Sequence, residues 1–116
     1  MQREIQIGAQ MVPMRTTAST ALRYQAVFHG DLLLELARKK PDTENLPIIQ
    51  QLAFIMAKSA EGANMNALTR QDYIDWLDNF EMIDLAEALP AVVNLYMEST
   101  VPTSEAKKNN NQETET

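Results

Sequence analysis

Apolar and polar positions alternate along the first fifteen residues. Ile5 and Ile7 are interleaved with Glu4 and Gln6, Gly8 offers a turn, and Met11, Val12 and Met14 resume the apolar series. A period of two predicts a short β-hairpin over Arg3 to Arg15 that covers a helical body. Pro13 has no N–H to give to a ladder, so the second strand should be an edge or end early. Beyond Arg15 the spacing becomes helical. Thr16, Thr17, Ser19 and Thr20 crowd a helix start, where hydroxyls satisfy the free amides of a first turn. Leu22, Ala26 and Val27 share one face with Phe28 near it, and Gly30 takes the C′ stop position. Asp31 is placed to cap a second helix through Leu32, Leu33, Leu34 and Leu36, closed by Pro41. Pro47 opens a third, in which Ile48, Ile49, Leu52, Phe54, Ile55, Met56 and Ala60 make the most hydrophobic and central helix; Gly62 ends it.

Thr69 and Asp72 have the spacing of a capping box, with Asp in place of the usual Glu or Gln. The helix that follows carries Tyr73, Trp76, Leu77 and Phe80 at helical intervals. Six carboxylates then recur at every third position: Asp72, Asp75, Asp78, Glu81, Asp84 and Glu87. A step of three residues lags a helical turn by about 60°, so the six cannot share one face of one straight helix. A break near Asn79–Phe80 resets the phase, and a last helix runs from Met82 to Met97. Pro90 inside it should kink it or start a new segment at Leu89. The expected fold is mainly α: a small domain of about five helices with a short N-terminal β-hairpin.

Length and charge sharpen this. A chain of 116 residues holds one core. From Ser99 to Thr116 the apolar side chains are Val101, Pro102 and Ala106, so residues 1–98 form the domain and 99–116 a disordered polar tail. Net charge is −6, unevenly placed. Residues 1–40 hold Arg3, Arg15, Arg23, Arg38, Lys39 and Lys40, whereas 71–98 hold seven acids and no base. Such a layout favours a basic partner or head-to-tail self-association and disfavours nucleic acid. The chain has no cysteine, opens without a basic-then-apolar signal, and has no apolar run near the ~20 residues of a membrane span. We expect a soluble protein of the cytoplasm with no membrane association.

Candidate chemistry is sparse. The carboxylate spacing matches no calcium loop, because no glycine follows Gly62. His29 is the only histidine and has no second ligand beside it, so capping or packing suits it better than catalysis or metal. The serines lack a nucleophile-elbow context. Arg38, Lys39 and Lys40 read as a basic helix end favoured by the dipole. These observations predict a protein that is not an enzyme, with no cofactor and no metal. Its partner surface is expected at Asp72, Asp75, Asp78, Glu81, Asp84 and Glu87, with Arg38, Lys39 and Lys40 as the complementary basic group.

Four segments in order carry a family likeness: Arg23-Tyr24-Gln25-Ala26-Val27-Phe28-His29-Gly30-Asp31-Leu32-Leu33, Leu52-Ala53-Phe54-Ile55-Met56-Ala57-Lys58, Trp76-Leu77-Asp78-Asn79-Phe80, and Glu87-Ala88-Leu89-Pro90 with the apolar run to Tyr96. Over residues 3–97 the chain resembles the small tail assembly chaperones of long-tailed bacteriophages and prophages of Gram-positive hosts. It departs from that pattern at His29 and at Leu95-Tyr96. The resemblance implies a non-enzymatic chaperone in the host cytoplasm that binds the tape measure protein, promotes polymerisation of the tail-tube protein around it, and is absent from the mature virion. It also implies a translational frameshift near the gene's end, for which the Lys107-Lys108-Asn109-Asn110-Asn111 run is suggestive. The alternative is a small structural head–tail or tail component retained in the virion. A helical nucleic-acid-binding regulator is a third reading, disfavoured by the acidic half.

Overall fold

The structure, a computed structural model, describes residues 1–30 and 46–100. The period-two segment forms strands β1 (Gln2–Ile7) and β2 (Gln10–Arg15), paired antiparallel with Ile7 opposite Gln10 and Gln2 opposite Arg15. Gly8, with φ of 61°, makes the two-residue turn that such a register needs. Met1 and Thr16 extend the ladder, exchanging both backbone hydrogen bonds at 2.8 Å. Hydrogen-bonded and non-bonded pairs alternate from there, so Pro13, opposite Glu4, falls on a non-bonded pair. Its nitrogen points away from β1. The strand therefore runs on through Pro13 to Arg15, and the proline removes one donor from the free edge, which blunts pairing with another chain.

Ile5, Ile7 and Met14 lie on the inward face of the hairpin and are buried, while Gln2, Glu4, Gln6 and Met11 face out. Beneath it lie four helices among the described residues: α1 (Thr20–Phe28), α2 (Leu46–Ala60), α3 (Arg70–Leu77) and α4 (Met82–Ser99), with a 3-10 turn at Met65–Ala67. The expected helix over 32–40, with Arg38, Lys39 and Lys40, and residues 101–116 of the expected tail lie outside the described residues. Ser99 and Thr100, also expected in that tail, instead belong to the last helix: Ser99 is its final residue, bonded to Thr16 and Tyr96, and Thr100 is its C-cap.

Helix α2 is central, as its composition predicts. Leu52, Ala53, Phe54, Ile55, Met56 and Ala57 are each no more than 1% exposed. β2, α1, α3 and α4 all pack on it, and β1 lies on α4. Gly62, at φ of 75°, ends this segment in a Schellman motif: its N–H reaches the Ser59 carbonyl at 3.1 Å, and Ala63 reaches Lys58 at 3.0 Å.

Helix α1 departs from expectation in three ways. Leu22 is 68% exposed, whereas Thr20 and Tyr24 are buried. The Tyr24 ring packs on Phe28 at 5.3 Å and its hydroxyl donates to Gln51 Oε1 at 2.7 Å, and this anchorage turns the Leu22 side outward. The hydroxyls do not form a simple N-cap: Ser19 caps nothing with its side chain. Instead Thr17 N–H donates to Thr20 Oγ1 at 2.8 Å and Ser19 N–H to Thr17 Oγ1 at 3.2 Å, while Thr16 Oγ1 contacts both Thr20 Oγ1 and Ser99 Oγ. That buried cluster joins the hairpin end, the start of α1 and the end of α4. The left-handed stop is His29, at φ of 62°, with its N–H on the Gln25 carbonyl, and not Gly30.

Capping box and break appear as predicted. Thr69 Oγ1 accepts from Asp72 N–H at 3.1 Å, and Asp72 Oδ2 accepts from Thr69 N–H at 2.8 Å. α3 stops before Asn79–Phe80, where Trp76 stacks edge-on against Phe80 at 5.0 Å. α4, by contrast, runs unbroken through Pro90 and does not restart at Leu89.

One ion pair joins β1 to the last turn of α4: Arg3 Nη1 lies 2.8 Å from Glu98 Oε2 and Nη2 lies 3.1 Å from Oε1. This two-pronged hydrogen bond, reinforced by the guanidinium charge, holds the Glu98 carboxyl below its ordinary range and raises Arg3. A carboxyl with a depressed folded-state pKa stabilises the fold above its unfolded pKa, and that contribution fades as pH falls through the folded value. The pair is exposed, so the effect is small. Thermal melts of the native chain and Glu98→Gln should differ near neutrality and converge below the carboxylate range. A gap independent of pH would remove the charge from the explanation.

Candidate interaction surface

The six spaced carboxylates fall into different environments. Asp72 is half-buried and committed to the capping box. Asp75, exposed on α3, accepts from Gln71 Nε2 at 2.8 Å. Asp78 is the exposed C-cap of α3, and Glu81 the exposed N-cap residue of α4, with no side-chain cap bond. Asp84 sits in the first turn of α4, where the helix dipole favours an acid. It backs onto the hairpin turn: a Cβ on Gly8 would come within 2.6 Å of Asp84 Oδ2. Glu87 is exposed beside it, lining a cleft of about 350 Å³ with Gln6, Gly8, Asp84 and Ala88.

None of the six forms a salt bridge among the described residues, where the ion pairs are Arg3–Glu98 and Lys58–Glu61. Asp75, Asp78, Glu81 and Glu87 are thus exposed and without an ion pair to any described residue, and they give the α3–α4 corner a negative potential. No group of three His, Cys, Asp or Glu among the described residues is placed to hold a metal ion. His29 is exposed at the end of α1.

The aromatics behind this corner are core. Phe54 lies 5.2 Å from Tyr73 and 5.7 Å from Trp76, and Phe28 packs on Tyr73 at 5.1 Å. Burial pushes the Tyr73 phenol up to about 12, helped by Tyr24 and opposed by Arg70.

A second feature is not in the carboxylate pattern. The outward side of α4 carries Met82 at 86% exposure, Ile83 at 63% and Met97 at 54%, with Ala86, Pro90 and Ala91 also exposed. Glu87, Asn94 and Glu98 are the polar residues on that side. The opposite side buries Leu85, Ala88, Leu89, Val92, Leu95 and Tyr96 against β1 and α2. The sequence signal was the run of apolar residues, Met82, Ile83, Ala86, Pro90, Ala91 and Met97, outside the stripe of Leu85, Leu89, Val92 and Tyr96 that a one-sided helix needs to bury. No helix among the described residues is long and apolar enough to cross a membrane.

Comparison with known proteins gives no matching family model, no matching curated protein and no matching solved structure.

Two sets of substitutions separate structural acids from free ones. Thr69→Ala, which removes the cap, should cost about 1 kcal/mol in urea melts, whereas Asp75→Ala and Asp78→Ala should stay within about 0.5 kcal/mol. Gly8→Ala combines a left-handed backbone with the Asp84 contact and should cost more than about 1 kcal/mol. Adding Asp84→Ala should recover only the contact part; full recovery would show that the backbone strain is negligible.

Proposed function

We propose that this chain is a non-enzymatic binding protein whose docking surface is the outer side of α4 together with the acidic corner where α3 meets α4. The observation that carries the reading is the exposed apolar side of α4, since a run of Met82, Ile83, Ala86, Pro90 and Met97 facing water is stabilised by a partner that covers it. Methionines suit a surface that repacks against many similar segments. The acids that flank it, with no Lys or Arg between Gln71 and Glu98, select a partner helix with an apolar stripe and basic edges.

Taken with the family resemblance, the partner is the tape measure protein of a long-tailed phage, and the activity is that of a tail assembly chaperone in the host cytoplasm. A tape measure protein is a long helical chain with exposed apolar stripes, and many copies of a small domain with one apolar face would keep it soluble while tail-tube protein assembles around it. No cofactor is needed for such work. The uneven charge along the sequence also supports head-to-tail association of copies, an open heterologous arrangement.

Co-expression with a tape measure protein tests this. The partner's solubility should depend on this chain, and the two should co-purify. Ile83→Lys should fold normally, because Ile83 is exposed, and abolish co-purification. Charge reversal at Asp75 and Asp78 should weaken it without unfolding the domain. A partner equally soluble without this chain would remove the chaperone reading. Mass spectrometry of purified particles distinguishes a chaperone, missing from them, from a structural component, which stays.

A further inference from the structure

Away from α4, where β2 runs into α1, Arg15, Thr17, Arg23 and Ser59 line a small cleft of about 130 Å³. The Ser59 hydroxyl oxygen is buried there and has no hydrogen-bond partner, the one such side-chain atom among the described residues. An unsatisfied buried hydroxyl is costly and in native proteins points to a bound water or ion. Arg23 uses Nε on Ser19 Oγ at 2.9 Å, which fixes its orientation and leaves its two terminal amino groups for another acceptor. Neither Arg15 nor Arg23 makes a salt bridge with a described residue. The last-turn carbonyls of Lys58 and Ser59, which would repel an anion, already accept from Ala63 and Gly62. The cleft is thus lined by two arginines, by Thr17, whose hydroxyl meets Ser19 Oγ at 3.0 Å, and by the serine with the orphan hydroxyl, in a protein whose net charge is −6.

We infer that this cleft binds a small oxyanion, the phosphate or carboxylate group of a ligand, with Arg15 and Arg23 supplying charge-assisted hydrogen bonds and Ser59 and Thr17 donating from their hydroxyls. Guanidinium forks match the oxygen spacing of both groups. The site is separate from the docking surface, so its occupancy does not depend on the chaperone reading.

Titration of the full chain with inorganic phosphate and, separately, with acetate tests it, with the arginine side-chain N–H resonances followed by NMR. One of the two anions should bind saturably with one-to-one stoichiometry, moving the Arg15 and Arg23 signals; which one binds more tightly identifies the group. Arg15→Gln, at an exposed position, should weaken binding by about tenfold or more. Ser59→Ala should also weaken it while leaving the thermal midpoint unchanged or higher, because an orphan hydroxyl contributes no stability. Absence of saturable binding by either anion would overturn the inference. So would binding unchanged in both variants.

Discussion

Six consecutive residues of α2, Leu52 to Ala57, are withdrawn from water, and the rest of the domain follows from that constraint. A helix presents successive side chains about 100° apart, so six buried in a row mean neighbours on every side. Few elements are present to supply them. β2 covers one side, α1 and α3 others, and α4 another. Phe54 shows how the sides are joined: its ring meets Phe28 from α1 and Tyr73 and Trp76 from α3. Removing so large a buried ring would cost about 3–5 kcal/mol, a large share of what a domain this small possesses.

The same constraint explains why one helix is left half uncovered. Among the described residues, the elements that enclose α2 leave no further one to cover the second side of α4. α4 lends one side to the core and to β1, and its other side has nothing over it among the described residues. Fixing both of its ends keeps that side in place. Thr16 and Ser99 hydroxyls meet at 3.0 Å near its end, Arg3 grips Glu98, and the Gln10 side chain donates to the Asn79 carbonyl just before its start. The hairpin is therefore a clamp along α4 as much as a cover for α2. Its polar end residues, Arg3 and Gln10, lie on the same face as Ile5 and Ile7 and reach the helix from both ends.

Local signals were legible in the sequence wherever one residue type decides the geometry. Alternation at Ile5 and Ile7 gave the hairpin, Gly62 the end of α2, Thr69 and Asp72 the capping box, and the carboxylate phase argument the break before Met82. Tertiary competition was not legible. Leu22 against Tyr24 is a contest between two candidate faces of one nine-residue helix, and a hydrogen bond to Gln51, distant in sequence, decided it. His29 in place of Gly30 as the left-handed residue is a one-position difference that composition cannot resolve. The acids were visible as a series, but their separate duties were not. Asp72 caps its own helix and Asp84 abuts Gly8, and such duties depend on what folds back against each residue.

Pro90 brings these threads together. In a helix interior a proline removes one hydrogen bond and crowds the preceding turn, at about 3 kcal/mol or more. Here it sits mid-helix on the outward side of α4, and it cannot donate to the carbonyl of Ala86, which is exposed on the same side. Nothing in the packing of α4 on β1 and α2 requires a proline at that position, since the core contacts come from Leu89 and Val92 beside it. Departures from local propensity without a structural gain tend to mark functional surface. The proline ring adds rigid apolar area between Ile83 and Met97. It belongs to the side of α4 that no described element covers, so the local cost and the missing neighbour fall on the same surface.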